Sequence, residues 1–310
     1  MSHIFDALQR SEAESSGAER PTFSLATELL QAAERKMREA GVIGESHPAA
    51  IGELRASADA VDSLPSTSCE GLERCPALPV SIPDESRLVS VGREASLGAE
   101  KFRFLAVRLR QLRHSRPLKK VLITSTIPQE GKSTVAVNLA CTLARRKEQK
   151  TLLLEGDLRR PTVAAKFGLG KIPGLCEWLS GQTEGNNIYR LESLGLWVLP
   201  AGAAPQNPLE LMQSGKLSPL MEQLEAWFDW IVIDSPPVLP LADASMWSRL
   251  ADGILLVTRK GTTEKRQLQR GLETLEKSKL LGALVNSSSN ASHTDYYQRY
   301  SSSPVGQSKE

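Results

Sequence analysis

The tetrapeptide Gly131-Lys132-Ser133-Thr134 lies between the apolar run 121–125 and a stretch of helix formers. A strand-to-helix turn of this composition suits a phosphate group. Its backbone N–H groups and the helix N-terminus face an anion. Lys132 would reach the β- and γ-phosphates of a nucleotide, Ser133 would hold Mg²⁺, and Thr134 would bond the α-phosphate. The usual pattern, G-x-x-x-x-G-K-[ST], opens on a glycine, whereas this chain has Thr126 there.

Two acidic strand ends follow. Glu155 and Asp157 close the run LLLEGD. Positions i and i+2 of a strand point to one side, so both carboxylates can face a metal ion and an incoming hydroxyl. Asp234 ends WIVID, the form in which a strand-terminal carboxylate holds Mg²⁺ directly or through water. A Gly-Lys-Ser turn alone can simply open a helix, and an acidic pair beside Arg159 and Arg160 can be a solvated turn. Together the three describe one site at the carboxyl edge of a sheet, where open α/β folds bind ligands. Arg159 and Arg160 fit either a charged helix start or contact with phosphate.

Such a site needs parallel strands that end side by side. Strands are expected at KKVLITS, KTLLLEGD, LWVLPAG, WIVIDSPP, GILLVTRK and LLGALVNSS, with helical segments between them. Runs as continuously apolar as ILLV and WIVI belong in parallel strands covered on both faces. The alternation predicts an α/β fold with a doubly wound, mostly parallel sheet. Ahead of it, AEKFRFLAVRLRQLRH places Phe102, Leu105, Leu109 and Leu112 on one helical stripe. Met212, Trp227 and Trp230 read as core. Residues 1–88 form an acidic N-terminal region, with helix candidates at IFDALQRSEAE and at 26–41 and a linker over 45–87. That linker is Ser, Pro, Ala and acid with little apolar surface to offset the cost of ordering. The catalytic domain is expected over 89–290, and 291–310 is a polar tail expected to be flexible.

Charge follows the same division. Residues 1–88 hold 8 Lys and Arg against 15 Asp and Glu, a balance of −7, and the rest hold 30 against 21, or +9. The net charge of +2 does not point to nucleic acid, and none is expected as a partner. Four cysteines without C-x-x-C spacing argue against a zinc site or a disulfide framework. The N-terminus lacks the cationic lead and apolar core of a signal peptide. No stretch approaches the roughly 20 apolar residues of a membrane span.

The order and wording of these motifs resemble the bacterial tyrosine kinases of the Wzc, CpsD and CapB kind, P-loop proteins related to the MinD/ParA ATPases. The resemblance runs over about 97–300. That family also lacks the first glycine, and its loop ends in Pro, a small residue and Glu before Gly-Lys-Ser. Here the loop reads Pro128-Gln129-Glu130-Gly131-Lys132-Ser133, with Gln129 for the small residue. The family's D-x-D-x-R appears as Glu155-Gly156-Asp157-Leu158-Arg159, with Glu for the first Asp. Asp234-Ser235-Pro236-Pro237 matches its second acidic motif, and Asp243 fits the segment after it. The resemblance implies an ATP- and Mg²⁺-dependent protein-tyrosine autokinase. Asp157, Lys132, Glu155 and Asp234 would be catalytic. Residues 128–134 and Asn286 would bind ATP, and Ser133, Asp157 and Asp234 would hold the metal.

It also implies assembly through an E-x-x-R-x-x-R helix and phosphorylation of a C-terminal tyrosine cluster between subunits. Glu100 and Arg103 match the helix motif, Ala106 stands at its third position, and Arg108 lies nearby. Tyr296, Tyr297 and Tyr300 are three of only four tyrosines in the chain and fall within five residues, which is poor chance clustering. Self-association through 97–112 and the tail is expected. So is a separate membrane activator, a polysaccharide co-polymerase of the Wzz kind, which would hold the cytoplasmic chain at the inner membrane. The implied setting is exopolysaccharide or capsule synthesis and export. The alternative is a partner-regulated ATPase of the MinD/ParA kind without tyrosine kinase activity. Proteins of that kind carry an additional lysine early in the loop, and Thr126 and Ile127 supply none. A third reading is a scaffold that assembles through 1–112.

Overall fold

The computed structural model describes residue 72 and residues 75–91, 96–183, 186–239 and 242–286. The N-terminal helix candidates and the tyrosine cluster lie outside these residues. Seven strands form one sheet: β1 (Lys120–Ser125), β2 (Thr151–Glu155), β3 (Tyr189–Leu191), β4 (Leu196–Leu199), β5 (Trp230–Asp234), β6 (Gly253–Arg259) and β7 (Leu280–Asn286). Their order is β3-β4-β2-β5-β1-β6-β7. Every neighbouring pair is parallel except β3 with β4. This is the doubly wound sheet that the alternation predicts. The antiparallel edge strand β3 is an addition, too short at three residues to leave a periodic signal.

Alternation along the inner strands sorts the core into two layers. Leu122, Leu152, Leu154, Ile231 and Ile233 face one layer, and Val121, Ile123, Leu153 and Val232 face the other. The second layer is closed by α1 (Leu97–Arg113) and α2 (Lys132–Ala144). Helix α2 is apolar nearly all round because the sheet covers one side and α1 the other. The stripe expected on α1 is there: Leu109 is buried, with Phe102, Leu105 and Leu112 packed beside it. Six further helices are described: α3 (Val163–Lys166), α4 (Leu175–Ser180), α5 (Pro208–Met212), α6 (Leu217–Trp227), α7 (Asp243–Leu250) and α8 (Lys265–Thr274). Met212, Trp227 and Trp230 are buried as expected.

The stretch just before residue 88 differs from the linker expected there. Pro76 and Leu78 exchange backbone hydrogen bonds with Arg190 of β3. Leu78, Val80 and Leu88 pack on the α1–α2 layer. Apolar residues spaced this irregularly show no period, yet each finds a place on a sheet edge or helix that already exists.

Register carries the fold to the site. Ile123 of β1 pairs with Asp234, and Glu155 of β2 pairs with Asp234 from the other side. Three strands therefore end together where the loop before α2 begins.

Candidate active site

The loop between β1 and α2 is held from several directions. Gly131 caps α2 with φ +91°, and a Cβ there would lie 2.1 Å from the Asn286 amide nitrogen. Only glycine fits both demands. Glu130 is fully buried. Its carboxylate accepts from the Ile127 N–H at 2.9 Å and from the Thr263 hydroxyl. Its carbonyl accepts from Asn286 Nδ2 at 3.0 Å. Asn286 thus stands at the loop, where its side chain fixes backbone. Thr126, in the place of the missing glycine, is fully buried and lies beside Gly271 of α8. Pro128 and Gln129 are the loop's exposed residues.

Lys132 is the centre of the charged groups. Its Nζ donates to Asp157 Oδ2 at 2.7 Å and to Ser133 Oγ at 3.3 Å, and it lies 3.8 Å from Asp234 Oδ1. Burial opposes its charge, but Asp234, Asp157 and Glu155 outweigh that and hold its pKa above the ordinary lysine range. Asp157 is buried and also accepts from the Arg160 N–H at 3.1 Å. Asp234 is fully buried, and neither of its oxygens accepts a hydrogen bond of ordinary geometry. Burial pushes its pKa up, with Lys132 and the nearby Ser133 hydroxyl opposing.

Glu155 behaves otherwise. Oε1 accepts from the backbone N–H groups of Thr162 and of Val163, the latter at 2.7 Å, and Oε2 from that of Ala201 at 3.0 Å. Burial pushes its pKa up to about 7 against the pull of these amides. The spacing of two leads to an expectation that Glu155 and Asp157 act as a pair. The contacts divide them: Asp157 meets Lys132, and Glu155 ties the start of α3 to the loop after β4. The extra methylene of Glu over Asp is what lets one carboxylate span both.

Two contacts that the motifs do not announce hold Asp157 in place. Arg159 grips Asp243 at the start of α7 with two hydrogen bonds, at 2.6 and 3.2 Å. The Trp247 indole N–H donates to the Gly156 carbonyl at 3.0 Å. A Cβ on Gly156 would come within 2.6 Å of that indole ring, so Gly156 is the only residue that fits between the two acids. Asp243 is buried, as a partner for Arg159 rather than for metal. Nothing local to α7 shows that Trp247 reaches β2.

On α1, Glu100 and Arg103 form an exposed ion pair. Ala106 is fully buried, so the third position of the assembly motif points into the core. Arg108 is exposed and bonds Gln111 at 3.5 Å. Among the described residues no helix is long and apolar enough to cross a membrane.

The cluster fits a metal–nucleotide complex. Asp234 supplies a buried carboxylate whose oxygens lack ordinary partners, Ser133 a hydroxyl beside it, and the loop a set of N–H donors at a helix start. Among the described residues no three His, Cys, Asp or Glu gather as a cage. A single buried carboxylate beside a hydroxyl suits Mg²⁺, which binds through one or two carboxylates plus phosphate and water.

Fold and site together define a P-loop nucleotide-binding protein with acidic motifs at the ends of β2 and β5. No family model matches the chain. Tyrosine-protein kinase YwqD of Bacillus subtilis is 36% identical over 215 residues, covering 68% of this chain and 90% of that protein. The solved structure of the chimerical protein CapA2B2 aligns with a TM-score of 0.61 at 31% identity, over 70% of this chain and 96% of that one. The kinase domain of the Escherichia coli tyrosine kinase ETK aligns with a TM-score of 0.63 at 29% identity, over 68% and 83%. The chain belongs to the bacterial tyrosine-protein kinases.

Proposed function

We propose that this chain transfers the γ-phosphoryl group of ATP to tyrosine, with the C-terminal tyrosines of a neighbouring copy among its acceptors. The observation that carries this reading is the meeting of Lys132, Asp157 and Asp234 where β1, β2 and β5 end side by side. Phosphoryl transfer needs positioning and charge neutralisation more than covalent chemistry from the protein. The loop amides and Lys132 bind the phosphates, and Thr134 meets the α-phosphate. Ser133 and Asp234 hold Mg²⁺, which when bound neutralises charge on the β- and γ-phosphates. Asp157 orients the tyrosine hydroxyl and takes its proton as the new O–P bond forms and the bond to ADP breaks. Lys132 and Asp157 form an ion pair, so both roles require that pair to open. Glu155 acts through the backbone it fixes.

By likeness to its family, the chain works in exopolysaccharide or capsule synthesis and is held at the inner membrane by a separate activator of the polysaccharide co-polymerase kind. Glu100 and Arg103 contribute to self-association. The buried Ala106 means that the third contact of that helix motif must come from elsewhere, and Arg108 is the exposed candidate.

The test is phosphotyrosine on purified protein incubated with ATP and Mg²⁺. Lys132→Met is expected to abolish it while the protein stays folded. Mixing Lys132→Met protein with an active protein truncated before Tyr296 then reads the direction of transfer. Label on the Lys132→Met chain supports transfer between subunits. Wild-type labelling by Lys132→Met alone would overturn the assignment of the loop.

A further inference from the structure

Lys166 is the last residue of α3 and belongs to none of the motifs above. Its Nζ donates to the Thr134 hydroxyl at 3.2 Å, the loop residue assigned to the α-phosphate. The ammonium is half-buried and inside the field of the site. Burial lowers its pKa, Asp234 opposes, and Arg87 and Lys132 lower it further. Lys166 and Lys132 thus share the field of the fully buried Asp234, and Arg87 adds to the positive charge that Lys166 feels. Cations brought this close disfavour one another unless an anion joins them.

The backbone that bears Lys166 and the backbone that bears Arg87 are both fastened. Helix α3 starts on the Thr162 and Val163 amides that Glu155 holds, and Phe167, next to Lys166, is fully buried. Arg87 arrives on the segment fastened along α2. Its carbonyl accepts from Asn138 Nδ2 at 3.1 Å, and Ser90 N donates to Asn138 Oδ1 at 3.0 Å. The Thr142 hydroxyl bonds Ser90 Oγ at 2.9 Å, and Arg145 bonds the Ser90 carbonyl at 2.9 Å. Three side chains of the phosphate-loop helix and its cap thus hold the segment bearing Arg87, which has a left-handed φ of 54°.

We propose that Lys166 is a second phosphate-binding cation of the nucleotide site, contacting the α-phosphate beside Thr134. The assignment rests on the reading of the loop as an ATP site. The ligand class is a nucleoside di- or triphosphate. The α-phosphate keeps its place and charge through the reaction, so Lys166 contributes to binding more than to transfer. Lys132, at the phosphates where charge shifts, contributes to both.

Titration calorimetry with ADP tests this on the full chain carrying Lys166→Met, Lys166→Arg or Lys132→Met. A charge-assisted hydrogen bond at a half-buried site predicts that Lys166→Met weakens ADP about tenfold. The KM for ATP should rise by a similar factor, while turnover at saturation falls far less. Lys166→Arg should recover most of the affinity, because the charge is what counts. Unchanged ADP affinity in Lys166→Met overturns the assignment, and so does an equal loss in Lys166→Arg, which would mean packing. If Lys132→Met also binds ATP and ADP as wild type does, the failure lies in the reading of the loop itself.

Discussion

Glu155 and Asp234 end neighbouring parallel strands and face each other across the ladder. Both are buried, and burial raises the pKa of each. Their hydrogen bonds separate them. Glu155 accepts from three backbone amides on two loops, and Asp234 has no acceptor bond of ordinary geometry. A buried carboxylate with its oxygens engaged is a brace. One that is left without ordinary partners costs stability, and a fold retains such a cost where a ligand uses the group. Asp234 is therefore the acid of this site left open to a ligand, and Glu155 is the acid that braces it.

The largest expected effect breaks Asp234. Asp234→Asn should lower tyrosine phosphorylation on the order of a hundredfold or more, because the carboxylate would hold the Mg²⁺ that neutralises charge on the phosphates. The same change removes a buried charge, so thermal unfolding without nucleotide should move to higher temperature. A variant both inactive and less stable would mean that Asp234 is a brace as well, and the contrast with Glu155 would collapse.

Glu155 should give its largest signal in pH dependence. Its folded pKa of about 7 lies above the unfolded value of 4.5. Between those values the folded chain binds the extra proton, so stability falls as pH rises from about 4.5 to about 7 and levels off above. The shift corresponds to on the order of 3 kcal/mol. Urea midpoints of wild type against Glu155→Gln from pH 4 to 8 should show the wild-type advantage shrinking across that window. A difference that does not vary with pH would show that Glu155 keeps one protonation state throughout. At neutral pH, Glu155→Gln should cost less phosphorylation than Asp234→Asn.

Trp247 sharpens the comparison because it touches Gly156, the one residue between the brace and Asp157. Trp247→Phe keeps a ring against Gly156 and removes the indole N–H, leaving the Gly156 carbonyl without that partner. The expected cost is about 1–2 kcal/mol of stability. Turnover should fall several-fold with ADP affinity retained, since the contact orients Asp157 and not the phosphate loop. Equal loss in both would assign Trp247 to the core alone.

The parts of this site that are legible in the sequence are local. Each apolar run lies within a few residues of its own terminal acid or of the Gly-Lys-Ser turn, and parallel pairing brings the three ends together. The partners of Glu155 lie outside its strand: Thr162, seven residues on, precedes α3, and Ala201, 46 residues on, follows β4. Period-two spacing gives the side on which a carboxylate lies and says nothing of which amides reach it first. Trp247 and Gly156 are 91 residues apart, and the indole that reaches Gly156 reads in sequence as one more apolar side chain.

The smallest expected effect lies in the loop beside these strand ends. Gln129 stands where the family has a small residue and takes φ +68°. A left-handed conformation costs an L-residue about 1–2 kcal/mol relative to glycine. Its side chain is exposed, so little packing is lost on removing it. Glycine gives back about 0.4–1 kcal/mol through the greater freedom of the unfolded chain. The balance predicts that Gln129→Gly stabilises the protein by up to about 1 kcal/mol, and that Gln129→Ala, which keeps the strain, gains nothing. Urea unfolding of the two variants checks the difference. A gain in both would place the effect in the Gln side chain. A loss in Gln129→Gly would show that the Glu130 contacts to Ile127 and Thr263 already make this turn the loop's preferred shape. In that case the cost of keeping this site rests on Asp234 rather than on the backbone beside it.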